Sequence, residues 1–117
     1  PISCTRERIV LTGLIRYGYN NYKACIDSIP YKLRLMYVNA YQSYLFNVVT
    51  SYRLAISQTE VLIGDLVKGS GSSEVRTITE EDLNLSKFRM RNVVLPLFGK
   101  NASMYPANDS GRFYLTL

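Results

Sequence analysis

Residues 31–56 read YKLRLMYVNAYQSYLFNVVTSYRLAI, a run with neither glycine nor proline. Nothing in it interrupts an α-helix, which at 1.5 Å per residue would extend roughly 39 Å. Pro30 stands at its opening, where a missing N–H costs nothing because the first turn leaves its N–H groups unpaired. On a helical wheel Tyr37, Tyr41, Tyr44, Val48, Tyr52 and Ala55 fall on one side. Asn39, Gln42, Ser43, Asn47, Thr50 and Arg53 gather on the other, interrupted by Leu35, Met36, Phe46 and Leu54. A helix that is apolar on nearly all sides is buried or covered by a partner.

Upstream, Thr5 can cap a helix from Arg6 to Tyr17, with Ile9, Val10, Leu14 and Tyr17 at helical spacing and Gly18 as the stop. Asn20 or Asn21 can start a short second helix carrying Tyr22, Cys25 and Ile26. Downstream the period changes. Val61 to Lys68 and Glu74 to Thr79 are strand-like runs around Gly69-Ser70-Gly71-Ser72-Ser73, which fits a hairpin tip or a shortened insertion site. Thr79-Glu80-Glu81-Asp82-Leu83 has the form of a capped helical turn, with a hydroxyl for the orphan N–H groups and carboxylates at the positive end. Phe88 to Leu95 is predicted as a third strand and Phe113 to Leu117 as a fourth, with turns at Gly99 and from Pro106 to Gly111. The predicted class is α+β: a helical first half with one long central helix, then a small, mostly antiparallel sheet.

At 117 residues the chain suits one module spanning 1–117. Fourteen Lys and Arg against nine Asp and Glu give a net charge of +5, and 47% hydrophobic residues with 20% charged are the proportions of a folded globular chain. These values exclude a disordered acidic tail, a collagen-like fibre and a disulfide miniprotein. Histidine is absent, which removes His-based acid–base catalysis and Ser-His or Cys-His nucleophile pairs. Cys4 and Cys25 lie far apart and outside any CxxC pattern, so they read as free thiols of a reducing compartment, with a disulfide as the alternative and no zinc site. No signal peptide is visible and no run of about 18 apolar residues offers a membrane span, so the expected location is cytoplasmic or nuclear, with no membrane partner. The opening Pro1-Ile2-Ser3-Cys4 and the apolar close Phe113-Tyr114-Leu115-Thr116-Leu117 lead us to expect a module cut from a larger protein.

Few residues suggest chemistry. Lys87, Arg89 and Arg91 alternate with Phe88 and Met90, so on a strand all three cations would project from one side. Such a row suits a phosphate backbone, or else the solvated face of a sheet or a charge-protected edge. Ten tyrosines are many for this length. At helical spacing they read as core residues with a hydroxyl reaching a surface or a buried partner; stacking on exposed RNA bases is the alternative. Glu80, Glu81 and Asp82 fan out around a helix start and read as capping residues, while Asp65 follows Gly64 in a strand and Asp109 sits in a turn. None forms an acid–base pair by context. Gly69-Ser70-Gly71 lacks the Lys-Ser/Thr ending of a phosphate loop. Composition and spacing alone describe a basic α+β module.

The long helix carries more. Leu33-Arg34-Leu35-Met36-Tyr37-Val38-Asn39-Ala40-Tyr41-Gln42-Ser43-Tyr44-Leu45-Phe46-Asn47 closely resembles a signature of the TruD family of pseudouridine synthases, in particular its eukaryotic and archaeal branch. There the segment typically reads Arg-Leu-Met-Tyr-Val-His-Ala-Tyr-Gln-Ser-Tyr-Leu-Trp-Asn. Gly64-Asp65-Leu66-Val67, Ile78-Thr79-Glu80-Glu81-Asp82, Val93-Val94-Leu95-Pro96-Leu97, Gly99 and Tyr105-Pro106 follow in the family's order. Tyr17-Gly18-Tyr19-Asn20-Asn21-Tyr22 and Ile29-Pro30 resemble the lead-in, so the likeness runs from about Arg8 to Pro106. Asn39 replaces the family's usual His, Phe46 its usual Trp, and Pro96-Leu97-Phe98-Gly99 its Pro-Leu-Pro-Gly. Asn keeps one hydrogen bond of an imidazole and cannot titrate; Phe keeps stacking area and loses the indole donor.

The family's essential aspartate belongs to a Gly-x-Lys-Asp segment followed by an Ala-x-Thr-x-Gln pattern, and neither occurs around Asp27, Asp65, Asp82 or Asp109. The resemblance therefore implies no catalytic residue in this chain, which matches instead the family-specific domain inserted into the catalytic fold. It implies a parent that isomerises a uridine of structured RNA, in tRNA the D-arm, to its C-glycoside, with no metal and no organic cofactor. Flipping the nucleotide costs a few kcal/mol, which binding to the rest of the RNA must offset. By that likeness Arg34, Gln42, Ser43 and Asn47, with Asn39 beside them, would tie the long helix to the RNA or to the catalytic domain of the same parent. Lys87, Arg89 and Arg91 would contact phosphates. A purely structural role is the alternative for these polar groups, Ser43 and Asn47 above all, because buried helix polar groups need partners. At the level of the whole chain the alternative is a non-catalytic RNA-binding or scaffolding module derived from the same family.

Overall fold

The structure, a computed structural model, describes residues 5–69, 71, 73–99 and 102–117. The chain divides into two compact units, Pro1–Ala40 and Tyr41–Leu117. Among the described residues no helix is long and apolar enough to cross a membrane.

The first unit contains α1 (Thr5–Tyr17), α2 (Tyr22–Asp27) and the start of α3 (Tyr31–Ile56). Thr5 is the first helical residue of α1 rather than its cap. Gly18 ends that helix at φ +91°, a backbone conformation that favours glycine. Asn21 caps α2, its side-chain oxygen accepting from the Ala24 N–H at 3.3 Å. The two helices approach closely at Gly13, where a Cβ would meet the Cα of Cys25 and the Oγ of Ser28, each at 3.2 Å. Cys25 is buried there as a free thiol; Cys4, its partner in the disulfide alternative, lies outside the described residues. Asp27 accepts from Lys23 at 2.9 Å and from Arg34 at 2.6 Å. The Lys23 hydrogen bond above all holds its carboxyl below the ordinary value.

The second unit packs the rest of α3 with an antiparallel sheet of order β2-β1-β3: β1 (Leu66–Lys68), β2 (Val75–Thr77) and β3 (Val93–Val94). Leu66 faces Thr77 on one side and Val94 on the other; Val67 faces Arg76 and Val93. The predicted hairpin is β1–β2, and Ser70 and Ser72 of its tip lie outside the described residues. Thr79 caps α4 (Glu80–Asn84) reciprocally: its hydroxyl accepts from the Asp82 N–H and its own N–H donates to the Asp82 carboxylate. Arg76 reaches the same carboxylate at 2.7 Å, and that bond is the main reason its proton affinity is depressed. Val49, Leu66, Val67, Ile78 and Tyr114 form the buried apolar core. The class is α+β as predicted, with the long helix bounded as the sequence indicated.

One predicted strand is shortened and another is replaced by a helix. Over 88–95 only Val93–Val94 pairs, because Met90–Asn92 turns into a 3-10 helix. The Asn92 side chain accepts the Arg89 N–H at 3.1 Å and donates to the Lys68 carbonyl at 3.3 Å, taking a donor that a ladder would have used. Over 113–117 the chain finishes α5 (Asp109–Tyr114) instead. Asn108 caps that helix by accepting the Ser110 N–H at 3.0 Å, so the predicted turn from Pro106 to Gly111 is mostly a helix start.

The tyrosine row of α3 also departs from the core position that its spacing suggested. Tyr37, Tyr41 and Tyr44 are exposed, and Tyr52 is 37% exposed while stacking on Phe113 at 4.2 Å. The buried residues of α3 are Val49 and Arg53. The aromatic that does enter the core is Tyr114, set against Phe98 and Tyr105 and donating to the Pro96 carbonyl at 2.9 Å.

A Cβ on Gly111 would stand 1.7 Å from the Pro106 carbonyl oxygen, a backbone atom with no side chain to swing away. Gly111→Ala should therefore lower the unfolding free energy by about 3 kcal/mol, read as a shift of the urea midpoint. Burial, with a smaller contribution from Tyr105, pushes the Tyr114 phenol from 10.0 up to about 12. Its neutral form contributes stability that is complete below pH 10 and lost as pH rises towards 12. Thermal melts of Tyr114→Phe should show about 1 kcal/mol lost at neutral pH and a shallower decline than the parent across that alkaline window.

Candidate nucleic-acid interface

In a chain without histidine, acid–base chemistry would fall first to carboxylates. Each of the four aspartates is ion-paired: Asp27 with Lys23 and Arg34, Asp65 with Arg53, Asp82 with Arg76, and Asp109 with Arg112. Asp65 is the extreme case, with its side chain and that of Arg53 0% and 1% exposed. Arg53 donates through Nε at 3.0 Å to Oδ1 and through Nη2 at 2.6 Å to Oδ2, and its remaining N–H groups reach the carbonyls of Ser57 and Glu60. Asp65 in turn accepts from the Leu62 N–H and from Asn108 Nδ2, both at 2.9 Å. With every lone pair directed at a donor, this carboxylate is a structural anchor rather than a base. Two features of the sequence mark this pair. Asp65 interrupts the apolar run Val61 to Val67, and Arg53 is the sole charged residue from Leu35 to Thr59; a buried charge needs a partner.

The motif residues of α3 separate into two kinds. Arg34 is bound within the first unit by its ion pair with Asp27. Gln42 donates through Nε2 to the Phe98 carbonyl, so the Tyr-Gln-Ser-Tyr segment and the Pro96-Leu97-Phe98-Gly99 turn, separate in sequence, meet in the second unit. Asn39, Ser43 and Asn47 are exposed. Tyr41 and Tyr44 present rings 6.3 Å apart at an interplanar angle of 24°, a flat apolar surface that is exposed. Phe46, where the resemblance led us to expect Trp, is half-buried in an apolar groove with Leu54, Met90 and Val94.

Lys87, Arg89 and Arg91 are all exposed but do not form a row, since the strand that would have aligned them is the 3-10 turn. Met90 points inward, its sulfur 3.9 Å from Arg53 Nη2. Lys87 lies 5.9 Å from the Phe88 ring centroid, and Arg76 lies 4.9 Å from the same ring. Arg89 and Arg91 border an open groove of about 840 Å³ that also has Glu60 and Asp82 on its walls.

Residues 1–112 match the family described as TruD, tRNA pseudouridine synthase D. The chain belongs to the TruD family. Among curated relatives of this TruD chain, pseudouridylate synthase PUS7L of Mus musculus is 36% identical over 119 residues, covering 93% of this chain and 17% of the relative. Pseudouridylate synthase 7 homolog of the same species is 35% identical over 115 residues, 97% of this chain and 16% of the relative. A probable tRNA pseudouridine synthase D of Methanococcus aeolicus is 36% identical over 90 residues, 62% of this chain and 22% of the relative. The chain thus spans about a sixth of the two longer relatives.

If Asp65 anchors rather than reacts, its loss is felt in stability. Asp65→Asn should cost about 3–5 kcal/mol by leaving Arg53 buried without a countercharge. The paired replacement Arg53→Met/Asp65→Leu should be less damaging than Asp65→Asn, a ranking that urea denaturation measures directly.

Proposed function

We propose that this chain is the insertion domain of an RNA pseudouridine synthase, working in the cytoplasm or nucleus. The parent would isomerise uridine to pseudouridine in tRNA or another structured RNA, with the catalytic aspartate supplied by the catalytic domain of the same protein. The observation that carries this reading is the family match over residues 1–112, joined to a chain whose four aspartates are all held in ion pairs. The relatives' names as pseudouridylate synthases support the reaction, and the archaeal relative's name supports tRNA as the RNA. The role of this module is to bind and enclose RNA while the nucleotide is flipped, supplying the contacts that offset unstacking. Exposed Asn39, Ser43 and Asn47 are assigned to contacts with RNA or the catalytic domain. Gln42 and Arg34 position α3 from within, and Lys87, Arg89 and Arg91 add electrostatic attraction to phosphates.

The test is pseudouridine formation on an unmodified tRNA transcript by this chain alone, with binding recorded in the same samples. Binding without conversion is the expected result. Conversion would place the catalyst among the four paired aspartates and overturn the assignment of catalysis to another domain. Failure to bind tRNA would overturn the RNA-gripping role and leave a module that acts only by packing against its catalytic half.

A further inference from the structure

The positive charge of this chain is concentrated away from the 87–91 segment. The first unit holds six cations, Arg6, Arg8, Arg16, Lys23, Lys32 and Arg34, against two acids, Glu7 and Asp27; the rest of the chain holds eight against seven. Asp27 is occupied by Lys23 and Arg34. Among the described residues neither Arg8 nor Arg16 has an ion pair, and both are exposed.

Those two guanidiniums line one groove of about 380 Å³ along α1, with Ser28, the C-cap of α2, on its other wall. Arg8, Thr12 and Arg16 recur every fourth residue, so they form a single row along α1 about 12 Å from end to end. Gly13 lines the groove too, and a Cβ there would crowd the Cα of Cys25 and the Oγ of Ser28, each at 3.2 Å. Tyr17, 44% exposed, places an aromatic face at one end. Among the described residues no carboxylate lines this groove, whereas Glu60 and Asp82 line the one beside Arg89 and Arg91. Two unpaired planar forks suit phosphate oxygens, which a guanidinium grips through paired N–H donors. A hydroxyl between them adds a donor, and a ring at the end adds a surface for base stacking.

We infer that the groove along α1 binds the phosphodiester backbone of RNA, with Arg8 and Arg16 as its phosphate contacts and Tyr17 as a stacking face. This rests on the reading of the chain as an RNA-binding module and says where on it the backbone runs.

The experiment measures binding of an unmodified tRNA transcript to the full chain at a series of KCl concentrations, with circular dichroism of each variant. Arg8→Ser/Arg16→Ser should weaken binding on the order of tenfold or more and reduce the log–log salt slope by about 1.5, the counterion release of two phosphate contacts. Lys32→Ser/Lys68→Ser removes the same charge away from the groove and should change the affinity much less. Arg8→Lys/Arg16→Lys should keep the slope and lose part of the affinity, because the charge stays and the fork is gone. A folded Arg8→Ser/Arg16→Ser variant with the parental slope would overturn the groove, as would an equal loss in Lys32→Ser/Lys68→Ser. Either result would leave RNA binding itself intact. Absence of tRNA binding by the unmodified chain at low salt would overturn the function first and this site with it.

Discussion

A buried arginine and a buried aspartate, twelve positions apart, organise the second unit of this protein. Arg53 lies on α3 and Asp65 just ahead of β1, and their charges are in contact where almost no solvent reaches. Removing two ions from water costs several kcal/mol each, and their mutual attraction compensates only when the other donors and acceptors are also satisfied. Here they are. The guanidinium also gathers the carbonyls of Ser57 and Glu60, and the carboxylate gathers the N–H of Leu62 and the amide of Asn108. One ion pair thus ties together the end of α3, the loop that follows it, the start of the sheet and the cap of α5.

That anchor decides which side of α3 is inside. With Arg53 drawn inward, Val49 one turn earlier is buried and Gln42 two further turns back reaches the Phe98 carbonyl. The tyrosines at positions 41, 44 and 52 are then rotated towards the surface, however apolar their rings. Wheel geometry shows that a helix has two sides without saying which one faces the core. Here a charge that had to be paired outweighed a row of rings that could remain at the surface with their hydroxyls in water. The outcome bears on function. The face with Ser43, Tyr44 and Asn47 is free of the second unit's core, while Gln42 is committed to holding the turn at 96–99.

Charge followed a similar course. Alternation of Lys87, Arg89 and Arg91 pointed to a flat cationic row, but one asparagine side chain competing for the Arg89 N–H bent the backbone and dispersed it. The arginines of α1 stayed in register because helical spacing is held by backbone hydrogen bonds within the element itself. Their acidic neighbours on the first unit are few, and one of the two is already neutralised. Local regularity preserved the one cationic row, and its absence undid the other.

What could be read from the sequence was whatever closes within a few residues. The span of α3 follows from the lack of breakers, the α2 cap from Asn21, the capping box from Thr79 and Asp82, and the hairpin from apolar runs around a glycine-rich tip. The family likeness was legible too, because an ordered set of motifs survives without coordinates. The partner of Asp65, the inward face of α3, the turn at 90–92 and the helix at 109–114 were not. Each depends on a side chain meeting a group brought near only by folding: Arg53 for Asp65, Lys68 for Asn92, and Asp65 again for Asn108. Residue order alone specified α3, the caps of α2 and α4, the hairpin and the family, since those rest on short-range hydrogen bonds and patterns of residue type. Tertiary structure alone decided which polar groups are buried as anchors and which remain exposed for a partner, since burying a charge is tolerable only once its distant counterpart is in place.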